Sequence, residues 1–172
     1  MNPLAKVAAD TEELRALDPA VAVVRTLTRP VSEGTAAAVL GGAWLGHPAH
    51  PLLVTGPIGL LGAAGVLDAV GGEEGQRPAE WLLGFGLLAL APSVATGMSD
   101  WSRAGQRAQR VGLVHAVVNL AGGTIAWQSY RARRRGELAR GRRLLRVALA
   151  AIGVGGYLGG HLTYVLGVRV AD

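Results

Sequence analysis

The sequence predicts an all-α fold: an up-and-down bundle of four transmembrane helices, preceded by short amphipathic, interfacial helices. Three observations lead there. Half of the 172 residues are hydrophobic, and the mean hydropathy is +0.32. Only 17% are charged, against roughly 25% in an ordinary soluble domain. Four apolar runs close to the roughly twenty residues a spanning helix needs follow one another along the chain. The 26 glycines suit helices that pack closely in lipid, where small residues let backbones approach. Two regions result: an N-terminal amphipathic region at 1–46 and a four-span bundle at 47–172.

Met1 to Arg29 has no apolar core of a signal peptide, and Asp10, Glu12, Glu13 and Asp18 interrupt it, so the first span is expected to act as an internal signal-anchor. Leu14, Leu17, Val21 and Val24 recur near helical spacing, with Pro19 breaking the pattern, which predicts one or two short helices at the membrane surface. Pro30 ends that region. Gly34 to Gly46 is apolar but too short to span, so an interfacial helix with Trp44 at headgroup depth is expected.

The first span is read at 52–70, entered through G-H-P-A-H-P. Pro51 suits the first helical turn, whereas Pro57 lies inside and should kink the helix unless a neighbour reseats the carbonyl it frees. The second span is read at 81–98, with Pro92 inside it and Trp81 and Trp101 as aromatic-belt residues. The third, 111–130, contains His115, Asn119 and Gln128. The fourth, 144–166, carries the Gly155, Gly156, Gly159 and Gly160 set and His161. Between the last two lies a basic hairpin with eight arginines from Arg131 to Arg146. Charges near the spans number four on one side (Arg103, Arg107, Arg110, Arg169) and nine on the other (Arg77 and the hairpin). That bias puts the hairpin in the cytoplasm and both termini outside. The net charge of +5 comes with no nucleic-acid motif, so lipid rather than nucleic acid is the expected partner.

With four antiparallel spans, His47 and His50, Thr96 and Asp100, His115, and His161 fall at one membrane face. His115 and His161 lie about 6 and 7 Å deep at 1.5 Å rise per residue, and Asn119 is one turn below His115. Imidazoles in that setting bind haem iron or a transition metal, and an ionisable group within lipid needs a partner. The expected haem ligands are His115 and His161, then His50 and His47. The expected metal set is His50, His115, His161 and Asp100, with Asn119, Thr96 and Trp101 around it. The glycines of the fourth span would leave room for a flat macrocycle, or would serve helix packing alone. Asp68 is expected to pair near the opposite rim, with Arg77 as the candidate. The absence of cysteine excludes disulfides, c-type haem attachment and thiolate-held clusters. No phosphate-binding loop, nucleophile elbow or H-E-x-x-H occurs, and no catalytic residue is assigned.

Four motifs in order carry a resemblance: G-H-P-A-H-P-L-L-V-T-G-P-I-G, A-T-G-M-S-D-W, G-L-V-H-A-V-V-N and G-G-Y-L-G-G-H-L-T-Y-V-L-G-V-R-V. Over roughly Gly41 to Val170 the chain resembles a bacterial family of four-helix membrane proteins labelled domain of unknown function 2231. The resemblance implies a four-span fold and a redox association, since similar proteins include ones with an appended Rieske domain. It maps the family's motif histidines onto His47, His50, His115 and His161, and its D-W pair onto Asp100 and Trp101.

The leading expectation is therefore an integral membrane redox-type protein binding a b-type haem or a metal, exchanging electrons with a partner protein or quinone, with a homo-oligomer compatible. The alternatives are a non-catalytic membrane scaffold or assembly subunit with structural histidines, and a small-solute or ion permeation protein.

Overall fold

The computed structural model describes residues 2–170, which hold helices and no strand. Three shorter helices come first: α1 (Pro3–Glu13), α2 (Asp18–Ser32) and α3 (Gly34–Leu40). Four long ones follow: α4 (His50–Val70), α5 (Gln76–Arg103), α6 (Gln106–Arg134) and α7 (Leu138–Tyr164). Short 3-10 turns at Arg15–Leu17 and Ala43–Leu45 join the early elements.

Local chemistry explains the boundaries. The Leu4 N–H donates to Asn2 Oδ1 at 3.0 Å, capping α1, whose first position is Pro3. Pro19 stands in the first turn of α2 for the same reason. Pro30, read as the end of the amphipathic region, lies inside α2, which stops at Ser32 where Glu33 turns extended. The long helices overrun their apolar runs because the flanking Arg, Gln, Leu and Ala are good helix formers. Arg131, Arg133 and Arg134 also sit in the last turn of α6, where cations complement the helix dipole. The basic hairpin thus narrows to a connection at 135–137, with Gly136 at φ 78°.

By length and composition, α4, α5 and α7 can cross a membrane. Helix α6 is as long but falls short in hydropathy, since His115, Asn119 and Gln128 interrupt its apolar stretch.

The described residues form two compact units, and each long helix contributes to both. One unit takes Leu52–Ser93 and Val118–Gly153. Its core is Leu61, Ala64, Ala79, Leu83, Ala126, Leu145 and Ala148, mostly alanine and leucine at close approach. A Cβ on Gly86 would stand 3.0 Å from the Leu61 side chain, and one on Gly122 2.9 Å from Ile152, so both glycines are needed for that approach. Pro57 lies buried in α4 without breaking it. Its missing N–H frees the Leu53 carbonyl, and Ser93 Oγ of α5 donates to that carbonyl at 2.9 Å. At one end of the unit Asp68, 7% exposed, takes Arg133, 1% exposed, as a two-pronged partner, with Arg142 at 3.6 Å. The expected partner Arg77 instead lies over the Trp81 ring at 5.2 Å. A buried carboxylate takes the guanidinium that can be desolvated with it, and Arg133 is buried whereas Arg77 is exposed.

The other unit takes the segment through Pro51, Val94–Val117 and the segment from Val154. Ala8, Val111 and Leu158 are buried there, packed by Val114, Tyr157, Leu162 and Leu166.

In both units the usual placement is inverted. Ser93, Thr96, Ser99, Asp100, Ser129 and Arg133 are buried, whereas Leu52, Val66, Phe85, Leu88, Leu120 and Val147 are exposed. A chain whose solvent is acyl chain places its residues this way.

Candidate functional site

Of the site residues singled out from the sequence, all but Asn119 lie in the unit that holds the N-terminal helices. His50 opens α4, and its Nδ1 stands 3.3 Å from Thr96 Oγ1 of α5. A Cβ on Gly97 would come within 2.9 Å of His50 Cε1, so the ring lies flat against that glycine. His115 of α6 directs Nδ1 at the Gly155 carbonyl of α7, 2.8 Å away, which makes Nδ1 the protonated nitrogen. Its ring rests on Gly159, where a Cβ would meet Cε1 at 3.1 Å. Both rings are thus held through Nδ1 by a protein oxygen and seated on a glycine of a neighbouring helix.

The other two histidines are placed differently. His161 Nε2 lies 2.7 Å from Glu12 Oε1, joining α7 to α1. His47 is exposed, its Nδ1 3.3 Å from the adjacent Pro48 carbonyl oxygen. It lines a surface cavity of about 340 Å³ together with Gly41, Gly42, Gly46 and Arg169.

Asp100 is buried and takes Arg169 at 3.1 Å, while Arg169 Nη2 donates to the Gly41 carbonyl at 2.8 Å. Trp101 Nε1 donates to the Gln109 carbonyl at 2.8 Å, and its ring fills the space where a side chain on Gly112 would stand. That contact closes the corner between α5 and α6. Asn119 falls in the other compact unit. Of the fourth-span glycines, Gly159 seats His115, a Cβ on Gly156 would meet nothing within 4 Å, and one on Gly160 would meet only Tyr164, at 3.9 Å.

Among the described residues, no three His, Asp or Glu side chains converge as a metal-holding group. The structure sets His50 on Thr96 and His115 on the Gly155 carbonyl; it turns His161 to Glu12 and Asp100 to Arg169.

Residues 46–172 match the family model described as predicted membrane protein (DUF2231). The chain belongs to the DUF2231 family. No curated protein and no solved structure matches it. The match begins at the G-H-P-A-H-P stretch and takes in all four histidines, while α1, α2 and α3 lie before it.

Those N-terminal helices supply the contacts that sequence reading missed in this DUF2231 chain. Arg110 grips Asp18 with two hydrogen bonds, at 2.6 and 2.9 Å, and donates a third to the Glu12 carbonyl at 2.7 Å. Arg110 holds the Asp18 carboxyl below its ordinary range, chiefly through those hydrogen bonds. Arg107 pairs with Glu13 at 2.8 Å, and Arg103 donates to the Ala37 carbonyl at 2.6 Å. The available signal was charge: acids at 12, 13 and 18 precede arginines at 103, 107 and 110, which stand near the start of one apolar run.

Proposed function

We propose that this DUF2231 protein is an integral membrane redox-type protein with four spans, α4 to α7, in which His50 and His115 take a b-type haem or a transition-metal ion. Helix α6 is included because it exposes Val117, Leu120 and Trp127 as the three more apolar helices expose their own leucines and valines. One observation carries the ligand assignment: Nδ1 of each ring is engaged by an oxygen, Thr96 Oγ1 for His50 and the Gly155 carbonyl for His115. Ligating imidazoles use this arrangement, in which the bond at one nitrogen fixes the tautomer and makes the other the more basic donor. The group, when bound, would supply one-electron transfer. Thr96 and Gly155 would orient the ligands, and Gly97 and Gly159 would seat their rings. His161, with Nε2 on Glu12, serves as a clasp for α1 in this reading.

The His161–Glu12 contact also favours a second reading, a non-catalytic membrane scaffold whose histidines tie helices together. One preparation separates the two. The protein is purified in mild detergent from cells supplied with haem and metals, and its spectrum is recorded with and without dithionite, alongside elemental analysis. A Soret and α-band difference, or stoichiometric metal, that is lost in His50→Ala and His115→Ala and kept in His47→Ala supports the redox reading. A folded preparation with neither signal leaves the scaffold.

A further inference from the structure

We infer that the arginines at the α6–α7 turn form a binding site for the phosphate of anionic phospholipids, set at the end of two lipid-facing stripes. Residues 143, 146, 147, 150 and 154 follow one another at spacings of three and four, so they share one face of α7, and all are exposed. The Val147, Ala150 and Val154 part of that face is apolar, and the Arg143 and Arg146 part is cationic. Helix α6 repeats the pattern with Val117, Leu120, Thr124, Trp127 and Arg131, and Arg135 follows just past its end. Arg131 lies over the Trp127 ring at 4.7 Å, as Arg77 lies over Trp81 on α5. Tryptophan under arginine at the end of an apolar stripe marks headgroup depth, where the aromatic belt sits and long cationic side chains reach phosphate.

The charges are not balanced within the protein. Arg133 and Arg142 face Asp68, Arg134 pairs with Glu80 and Arg140 with Glu137. Among the described residues no carboxylate is within ion-pair distance of Arg131, Arg135, Arg143 or Arg146, and all four are exposed. Phosphate answers that surplus, and the apolar stripes beneath it fit the acyl chains of the same molecule. A soluble anion would use the guanidinium groups and leave the stripes uncovered. The inference rests on membrane insertion and is independent of any ligand at His50 and His115.

The test titrates the full chain in mild detergent with phosphatidylglycerol and with phosphatidylcholine, and reads bound lipid by native mass spectrometry. Phosphatidylglycerol is expected to bind more tightly, and each of Arg143→Gln and Arg146→Gln to weaken it about fivefold, with the double variant near 25-fold. Arg29→Gln, which changes a charge paired with Glu33 in α2, should leave binding unchanged. Helical content by circular dichroism checks that each variant is folded. Equal binding of the two lipids, equal loss in Arg29→Gln, displacement of the lipid by equimolar inorganic phosphate, or tighter retention of an RNA oligonucleotide than of phosphatidylglycerol would each overturn the inference.

Discussion

Replacing Ser93 by alanine should weaken the fold through a proline 36 residues away in sequence. Pro57 lacks the N–H that would take the Leu53 carbonyl within α4. Ser93 Oγ takes it instead, at 2.9 Å, and also lies 3.0 Å from the Ala89 carbonyl of its own helix, so one hydroxyl hydrogen is shared between two acceptors. Ser93 is buried, so water is no substitute. Leaving a buried carbonyl without its donor costs about 1–3 kcal/mol, and hydrogen bonds measured within membranes average about 0.6 and reach about 1.7. Ser93→Ala should therefore lose about 1–1.5 kcal/mol. The decisive comparison is the same substitution in a Pro57→Ala background. There residue 57 regains an N–H for the Leu53 carbonyl, and the cost of Ser93→Ala should fall below about 0.5 kcal/mol. Reversible unfolding by SDS from mixed micelles, followed by far-ultraviolet circular dichroism, gives all four stabilities of the cycle. Equal costs in the two backgrounds would refute the claim that Ser93 answers the proline.

Three further outcomes follow from the geometry. Gly159→Ala would place a Cβ 3.1 Å from His115 Cε1, so the ring must give by a few tenths of an ångström while it is held by the Gly155 carbonyl; the His115 Nδ1–H resonance should move in the NMR spectrum, while Gly156→Ala, whose Cβ would meet nothing, should leave it in place. Asp68→Asn strands Arg133 in a buried setting and should cost about 3–5 kcal/mol in the same unfolding assay, whereas Arg134→Ala, which breaks the exposed pair with Glu80, should cost under about 0.5 kcal/mol. Because the Asp18 carboxyl is held below its ordinary value, the contribution of the Arg110 grip is complete above the unfolded-chain value near 3.8 and is lost as pH falls through the lower folded value. Protease cleavage in the first twenty residues should accordingly rise below about pH 4 in the wild type, and be high at neutral pH in Arg110→Gln.

Element positions were legible because hydropathy and helix breakers act locally. The four long helices begin and end within six residues of the apolar runs that announce them, and the pairing of a kinking proline with a neighbour that reseats its carbonyl was foreseeable in kind, though not as Ser93. The two rings of the G-H-P-A-H-P stretch part company: His50 opens a helix and turns to Thr96, while His47 stays exposed beside Pro48. His161 shows the limit from the other side. The sequence sets it at the same expected depth as His115, yet its polar partner is Glu12, 149 residues distant and before the family-matched region.

By itself, then, the sequence determined an all-helical membrane chain, the places where its long helices start and stop, and the few polar residues that any packing must accommodate. Tertiary structure alone decided who meets whom: His115 with Gly155, Asp68 with Arg133 and not Arg77, Arg110 with Asp18. The reason is physical. A helix that is apolar on every side carries no periodic mark of the face it will bury, so its rotation about its own axis is not written in its hydropathy. That rotation is fixed by the buried polar groups, each of which must find a partner once water is gone, and by glycines that admit a neighbour at one point only.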